Sequence, residues 1–369
     1  MKARSRQTTG TEAERLRRSP AIRTSTFVAA AACLAGTAAA AALVSSRALV
    51  VTKGKAVKQV AVDGKHFVWE TGPLEGQNSR TALLERELGT ARKRVLVRNV
   101  KTNYGLTLAS GWVVYADGGA RTRLSAIRPD GSSKIVLSRW LAAPFAARGR
   151  LLAWIEQDGR RQRVVVRDMS SGRVRLVSRL PRCERGHCYQ LEQVMLADRG
   201  VVFTRDSSNP DLSWVVRIRF SNRVLTSVRL RHDPQPNLVP SSAGAAYYVA
   251  GRGWYRWDFG GRPRGTPFRA NPPAPLLGYE HARWFLSTRR GCDFGVVVLD
   301  AGGHRRVVAS PRRLRRLVPS RSRLCVLLQA FVWTGRRPLT AWAIVPQESS
   351  DEHSDKGLYG VALASNAVG

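Results

Sequence analysis

A four-beat pattern of turns and short strands runs from about Val60 to Val345, and it constrains the fold more than any other feature of the chain. Its third instance is the clearest. Arg148-Gly149 leads into Leu151-Leu152-Ala153-Trp154, and Asp158-Gly159 into the alternating run Arg163-Val164-Val165-Val166-Arg167-Asp168. Ser171-Gly172 then turns the chain into Arg173-Val174-Arg175-Leu176-Val177. Each unit has one more strand than a hairpin can bury alone, so the units must stack on one another. That is the logic of a β-propeller.

The units are registered by the residue that ends the first long strand: Trp69, Tyr115, Trp154, Phe203, Tyr248, Phe285 and, more weakly, Val326. These recur about every 40–50 residues, the length of a four-stranded blade. Period-two alternation, as in Arg217-Ile218-Arg219-Phe220, and Gly-containing turns at Asp63-Gly64, Asp130-Gly131, Gly260-Gly261 and Gly302-Gly303 support strands throughout. The expectation is an all-β propeller of seven blades, or six, over residues 48–346. A pair of β-sandwiches is the competing all-β arrangement. Closure of the ring is expected to draw its missing outer strand from Leu49–Thr52 or Ala56–Val60, paired near Trp342, because an open ring leaves blade edges unpaired.

Ahead of the repeats, residues 1–26 are polar and basic, and residues 27–46 carry no charge. About 20 uncharged, mostly apolar residues suffice to span a bilayer. The basic flank places the N-terminus in the cytoplasm and the propeller outside. The segment reads as a transmembrane anchor or as a signal peptide cut near Ser46-Arg47-Ala48. After Pro346, residues 347–369 are acidic and poor in large apolar side chains, the composition of a disordered tail.

Export agrees with the cysteines. Apart from Cys33 there are four, Cys183, Cys188, Cys292 and Cys325, which an oxidising compartment would pair as Cys183–Cys188 and Cys292–Cys325. A metal site using His187 would need further ligands, and the remaining histidines are scattered, so no metal and no cofactor is expected.

The chain carries 61 Lys plus Arg, nearly all arginine, against 26 Asp plus Glu, a formal charge of +35. Such an excess suits a polyanionic partner, anionic wall polymer or lipid headgroups among them. A nucleic-acid module would gather its arginines on one element with stacking aromatics between them. Here they are spread singly over strand edges and turns, with one denser run from Arg305 to Arg316. That spread argues against nucleic acid and fits solvated strand faces.

The first unit, Val62-Asp63-Gly64-Lys65-His66-Phe67-Val68-Trp69, resembles the TolB-like (WD40-like) propeller repeat, an Asp-Gly turn followed by a short strand ending in an aromatic. The resemblance implies an extracytoplasmic propeller that binds peptides or proteins around its axis. Later units keep the glycine and lose the aspartate, and the Trp-Asp pair occurs once, at Trp257-Asp258.

Catalytic signatures are sparse. There is no Gly-x-Ser-x-Gly elbow, and the carboxylates are scattered among turns rather than paired as glycosidic chemistry requires. One aromatic cluster, Tyr247, Trp254, Trp257 and Trp284, could form a platform for a sugar or peptide, or could simply pack between blades. The chain is therefore expected to be a non-catalytic binding scaffold at the cell envelope, membrane-held or secreted, with an envelope protein or peptide as partner. An extracytoplasmic lyase or hydrolase working in the central channel is the alternative.

Overall fold

The computed structural model describes residues 48–53, 57–71, 81–88, 90, 92–100, 105–118, 121–158, 161–179, 189–207, 212–231, 237–249, 252–265, 276–316, 324–333, 338–346 and 359–364. Strand β1 is Ala48–Lys53. Blade 1 follows as β2 (Val57–Val62), β3 (His66–Thr71), β4 (Thr81–Glu87) and β5 (Lys93–Val100). Blade 2 is β6 (Leu106–Ala109), β7 (Trp112–Asp117), β8 (Arg123–Ile127) and β9 (Lys134–Ser138). Blade 3 is β10 (Ala146–Arg148), β11 (Leu151–Asp158), β12 (Arg161–Asp168) and β13 (Val174–Arg179). Blade 4 is β14 (Tyr189–Ala197), β15 (Gly200–Ser207), β16 (Leu212–Arg219) and β17 (Leu225–Arg231). Blade 5 is β18 (Asn237–Val239), β19 (Gly244–Val249), β20 (Gly253–Asp258) and β21 (Arg264–Gly265). Blade 6 is β22 (Leu276–Glu280), β23 (Arg283–Arg290), β24 (Asp293–Leu299) and β25 (Arg305–Ala309), followed by the short helix α1 (Pro311–Arg315). Strands β26 (Leu324–Trp333), β27 (Pro338–Pro346) and β28 (Tyr359–Ala364) end the chain.

These strands form seven four-stranded antiparallel sheets, six of them consecutive in sequence. The first strands of blades 1 to 6 meet in turn around the ring, β2 with β6, then β10, β14, β18 and β22; blade 6 meets blade 7 through β24 and β26, and β26 closes back on β2. We call the four strands of a blade A to D from the axis outward. The turns joining A to B and C to D lie on one face of the ring, those joining B to C on the other.

The seventh sheet runs β26-β27-β28-β1, so three strands from the C-terminal end and one from the N-terminal end complete the ring. The expectation that Leu49–Thr52 supplies the outermost strand holds, but its partner differs. Trp342 pairs with Val361 on β28, and β28 pairs in turn with β1, Ala48 opposite Leu363. Two expectations are thereby corrected. Tyr359–Ala364 is a paired strand within the segment read as a disordered tail; its Tyr-Gly-Val-Ala-Leu-Ala run is short but alternates and meets two waiting edges. Of the other candidate, Ala56–Val60, the described residues Val57–Val60 belong to the inner strand of blade 1.

The sequence register also slips by one strand. Trp69, Tyr115, Trp154, Phe203, Tyr248 and Phe285 all lie on B strands, whereas Val326 lies on A strand β26. The equivalent aromatic of blade 7 is Trp342, fully buried on β27. The inner strands had escaped notice because several are very short: β10 and β18 have three residues each.

Burial follows the pattern expected of stacked blades. B and C strands are buried on both faces, as in the Trp112–Ala116 run of β7 and the Val296-Val297-Val298 stretch of β24. Outer D strands alternate, as in β9 and β5, because one face meets water. The cores lie between blades. Tyr247 and Trp257 of blade 5 pack with Val202 and Val215 of blade 4, and Phe331 and Trp333 of blade 7 pack with Phe285 of blade 6. The Cys292–Cys325 disulfide joins the β23–β24 turn to β26, with Cα atoms 5.3 Å apart. Beside it, Asp293 accepts a hydrogen bond from the Val326 backbone N–H (3.1 Å) and an ion pair from Arg315. No helix among the described residues is long and apolar enough to cross a membrane, and residues 27–46 lie outside the described residues.

Candidate functional site

The axis of the ring is crossed at one end by three charged side chains. Arg148 is the last residue of inner strand β10, and Glu280 the last of inner strand β22. Their blades, 3 and 6, stand three apart in a ring of seven, as far as the ring allows, so a contact between them must span the axis. The guanidinium meets the carboxylate in a fork: Nη1 donates to Oε1 at 2.9 Å and Nη2 to Oε2 at 3.0 Å. Its remaining edge, Nε, donates to Asp198 Oδ1 at 2.5 Å, from the A–B turn of blade 4.

Burial makes this pairing matter. The Glu280 side chain is wholly buried and that of Arg148 is 10% exposed, while Asp198 is 58% exposed at the mouth. A planar guanidinium with five donors is suited to two carboxylates at once, since both its bidentate edge and its Nε edge are used. The cluster sums to one negative charge, with Asp198 carrying the excess to solvent.

Backbone contacts hold the two carboxylate-bearing strand ends in place. The Asp198 N–H donates to Ser242 O at 3.2 Å, the Ser242 N–H to Tyr279 O at 3.3 Å, and the Tyr279 N–H to Pro240 O at 2.9 Å. Ser241 and Tyr279 form an isolated parallel bridge between blades 5 and 6. Blades 4, 5 and 6 are thus stitched together immediately beside the crossing.

Around the ring other arginines act as staples between blades. Arg217 of β16 lies over the Trp257 ring of the next blade, 3.8 Å from its centroid. It donates Nε to Thr226 Oγ1 at 2.7 Å and its terminal nitrogens to the carbonyls of Asp258 and Gly261. Burial, then repulsion from Arg219, pushes the Arg217 pKa down to about 10, which still leaves it charged near neutrality. Arg219 bonds the Phe259 carbonyl. Within blade 2, Arg128 likewise sits over Trp112 at 4.1 Å and donates to Gly111 O at 3.1 Å. Part of the arginine excess is therefore structural: a guanidinium can cover an aromatic face and satisfy turn carbonyls together.

The aromatic platform expected from sequence does not form. Tyr247 and Trp257 are buried in the core between blades 4 and 5, and Trp254 and Trp284 in the separate core between blades 5 and 6. Tyr247 stacks on Tyr255, 5.7 Å between centroids, and burial pushes its hydroxyl pKa up. All four are packing residues because they alternate on strands whose two faces are both covered. Of the cysteines, Cys292 and Cys325 are bonded as expected, whereas Cys183 and Cys188, with His187, lie outside the described residues. No group of three or more His, Cys, Asp or Glu among the described residues is placed to hold a metal ion.

Sequence inspection missed the crossing because its members stand 50 and 132 residues apart. A usable signal existed: Arg148-Gly149 and Glu280-His281 each put a charge at the tip of an otherwise apolar inner strand, and Asp198-Arg199-Gly200 puts one directly after the apolar Val194–Ala197 run.

No protein-family description matches the sequence, and no curated protein is similar to it. Solved structures are similar in fold. The β-propeller domain of the Trilobed protease from Pyrococcus furiosus, described as having an open velcro topology, superposes with a TM-score of 0.53 at 9% identity. The match covers 79% of this chain and 92% of that one. The Pyrococcus horikoshii acylaminoacyl peptidase superposes at 0.52 with 8% identity over 80% of this chain, which spans about half (51%) of that protein. TolB from Acinetobacter baumannii matches at 0.36 and 10% identity, over 82% of this chain and 64% of that one. The chain is a β-propeller repeat protein, built from seven sheets and closed by strands from both of its ends.

Proposed function

We propose that the propeller is a non-catalytic binding scaffold held on the outer surface of a membrane by residues 27–46. One observation carries the non-catalytic part: the buried carboxylates of Glu280, Glu156, Asp168 and Glu85 are engaged in holding the fold. Glu280 is forked to Arg148, and Glu156 accepts from Trp154 Nε1 at 2.9 Å and from Arg163 Nε at 2.6 Å. Asp168 is held by Ser170 and by Arg150, and Glu85 meets His66 at 2.9 Å. A general acid or base must exchange its proton with a substrate, and these groups would have to abandon structural partners to do so. The basic leader and the uncharged segment after it support the location.

The test is turnover. Purified full-length protein is assayed against peptide, glycosidic and uronate model substrates for hydrolysis and elimination. The scaffold reading expects none. Turnover that is lost in Glu156→Gln or Glu280→Gln while the circular dichroism of the fold persists would replace it with the channel-enzyme reading. Location is checked by a reporter active only outside the membrane, fused after Val345, which is expected to be active.

A further inference from the structure

We propose that the face bearing the A–B and C–D turns docks flat on the anionic headgroups of the membrane that holds the chain; this rests on the membrane-held reading above. The geometry begins at blade 7. In the other six blades a C–D turn projects from this face. In blade 7 the corresponding place is where the chain enters the ring, at Ala48, since β28 and β1 are the C and D strands. In sequence only Arg47 separates Ala48 from the uncharged segment ending at Ser46. An extended residue covers about 3.3 Å, so the rim of blade 7 on this face stands at the bilayer surface.

The six remaining positions are cationic. Each C–D turn, or the first residue after it, presents an exposed Lys or Arg: Arg92, Lys134, Arg173, Arg223, Arg262 and Arg305 in blades 1 to 6. Blade 6, next to the point of attachment, adds Arg306 and the exposed Val307. The carboxylates of this face keep their charge and are outnumbered by its Lys and Arg. Asp63, Asp130 and Asp300 accept backbone N–H groups of their own turns, Asp168 pairs with Arg150, and Asp198 carries the excess negative charge of the axial cluster at the centre of the ring. A ring of outward cations thus surrounds the axis on the face where the chain meets the membrane. Each Lys or Arg close to an anionic leaflet strengthens its attraction by about fivefold, and the effect fades beyond a Debye length of about 10 Å. A flat approach brings all six within that range. The opposite face also carries exposed arginines, among them Arg252, Arg290 and Arg312; attachment, rather than charge alone, selects between the faces.

Hydrogen–deuterium exchange of the full chain, reconstituted in vesicles of phosphatidylcholine with or without added phosphatidylglycerol, tests this. The six C–D turns are expected to exchange several-fold more slowly with the anionic lipid, and raised salt should abolish the difference. The double variant Arg305→Glu, Arg306→Glu should remove the protection, whereas the matched charge change Arg290→Glu, Arg312→Glu on the opposite face should leave it intact. Equal exchange in the two lipids, or equal sensitivity to both variants, overturns the docking face. So does protection of these turns by soluble polyphosphate but not by anionic vesicles, which would assign the face to an anionic polymer. Anchoring is read separately, by resistance of the full chain to alkaline extraction. An extractable chain with lipid-dependent protection overturns the anchor alone, and a resistant chain without protection overturns the docking face alone.

Discussion

Removing the charge of Glu280 while Arg148 stays buried leaves a guanidinium without its forked partner, and that is where single side chains matter most here. Breaking a buried pair from one side typically costs about 3–5 kcal/mol. Glu280→Gln and Arg148→Ala are each expected to lower unfolding stability by about that much, measured by denaturant titration. The double change Arg148→Met, Glu280→Leu should recover most of the loss. Additive losses in the two single variants would mean the pair is not coupled. A second residue-scale test concerns Gly200, where an added Cβ would overlap the Ile218 carbonyl and the Phe259 ring of the next blade, with Phe259 Cε1 2.7 Å away. Gly200→Ala is expected to destabilise by about 1–3 kcal/mol or more, the usual effect of overpacking. Acid titration offers a third. Burial pushes the Asp168 carboxyl up, but hydrogen bonds from Ser170 and Ser171 and the charge of Arg150 outweigh it and hold the pKa below the ordinary 3.8. A depressed carboxyl adds stability that is complete above its unfolded value and is lost as pH falls through the folded one. Asp168→Asn should therefore flatten the acid limb of the stability profile below that value, and an unchanged limb would show that Asp168 contributes nothing to it.

At the scale of elements, the seventh sheet and the disulfide carry the predictions. A chain starting at Val57 lacks only β1, leaving β28 as an open edge; a chain ending at Pro346 lacks β28, leaving both β27 and β1 unpaired. The second deletion should lower the melting temperature more, because it removes two ladders rather than one. Equal melting of both truncations and the parent would mean that closure does not run through β28. The Cys292–Cys325 bridge closes a segment of 33 residues, for which loop-closure entropy sets a stabilisation of about 3–4 kcal/mol. Reduction should lower the unfolding temperature accordingly, and alkylation of the native oxidised protein should spare these two thiols. Both elements tie blade 7, the only blade not continuous in sequence, to the rest of the ring.

For the whole molecule, the excess of charge and the ring geometry act together. With 61 basic residues against 26 acidic ones, ion pairs cannot neutralise the surface. Added salt should raise the melting temperature by screening self-repulsion, even as it weakens any contact with anionic lipid. A melting temperature that falls with salt would mean the surface pairs outweigh the repulsion. Arg217 belongs to the packing between blades 4 and 5 and Arg128 to the packing within blade 2, so charge removal there should destabilise the fold, whereas removal at Arg223 or Arg305 should not.

The repeat, the strand turns and the Cys292–Cys325 pairing were readable in the sequence because each rests on local chemistry or on spacing. A Gly-containing turn, an alternating Val/Arg run and a blade-length interval need no knowledge of distant residues. The inner strands β10 and β18 were not readable, since three residues hold too little pattern to separate from a loop. Tyr359–Ala364 was not readable either, since composition called its surroundings polar and only the open edges of β27 and β1 make it a strand. The aromatic residues Tyr247, Trp254, Trp257 and Trp284 show the same limit from the other side. Their identity was plain, but whether they face a ligand or a neighbouring blade depends on which surfaces the ring covers. Local interactions thus determined that the chain must make blades. Only closure of the ring, which brings Arg148 of blade 3 against Glu280 of blade 6, decided where its charges meet.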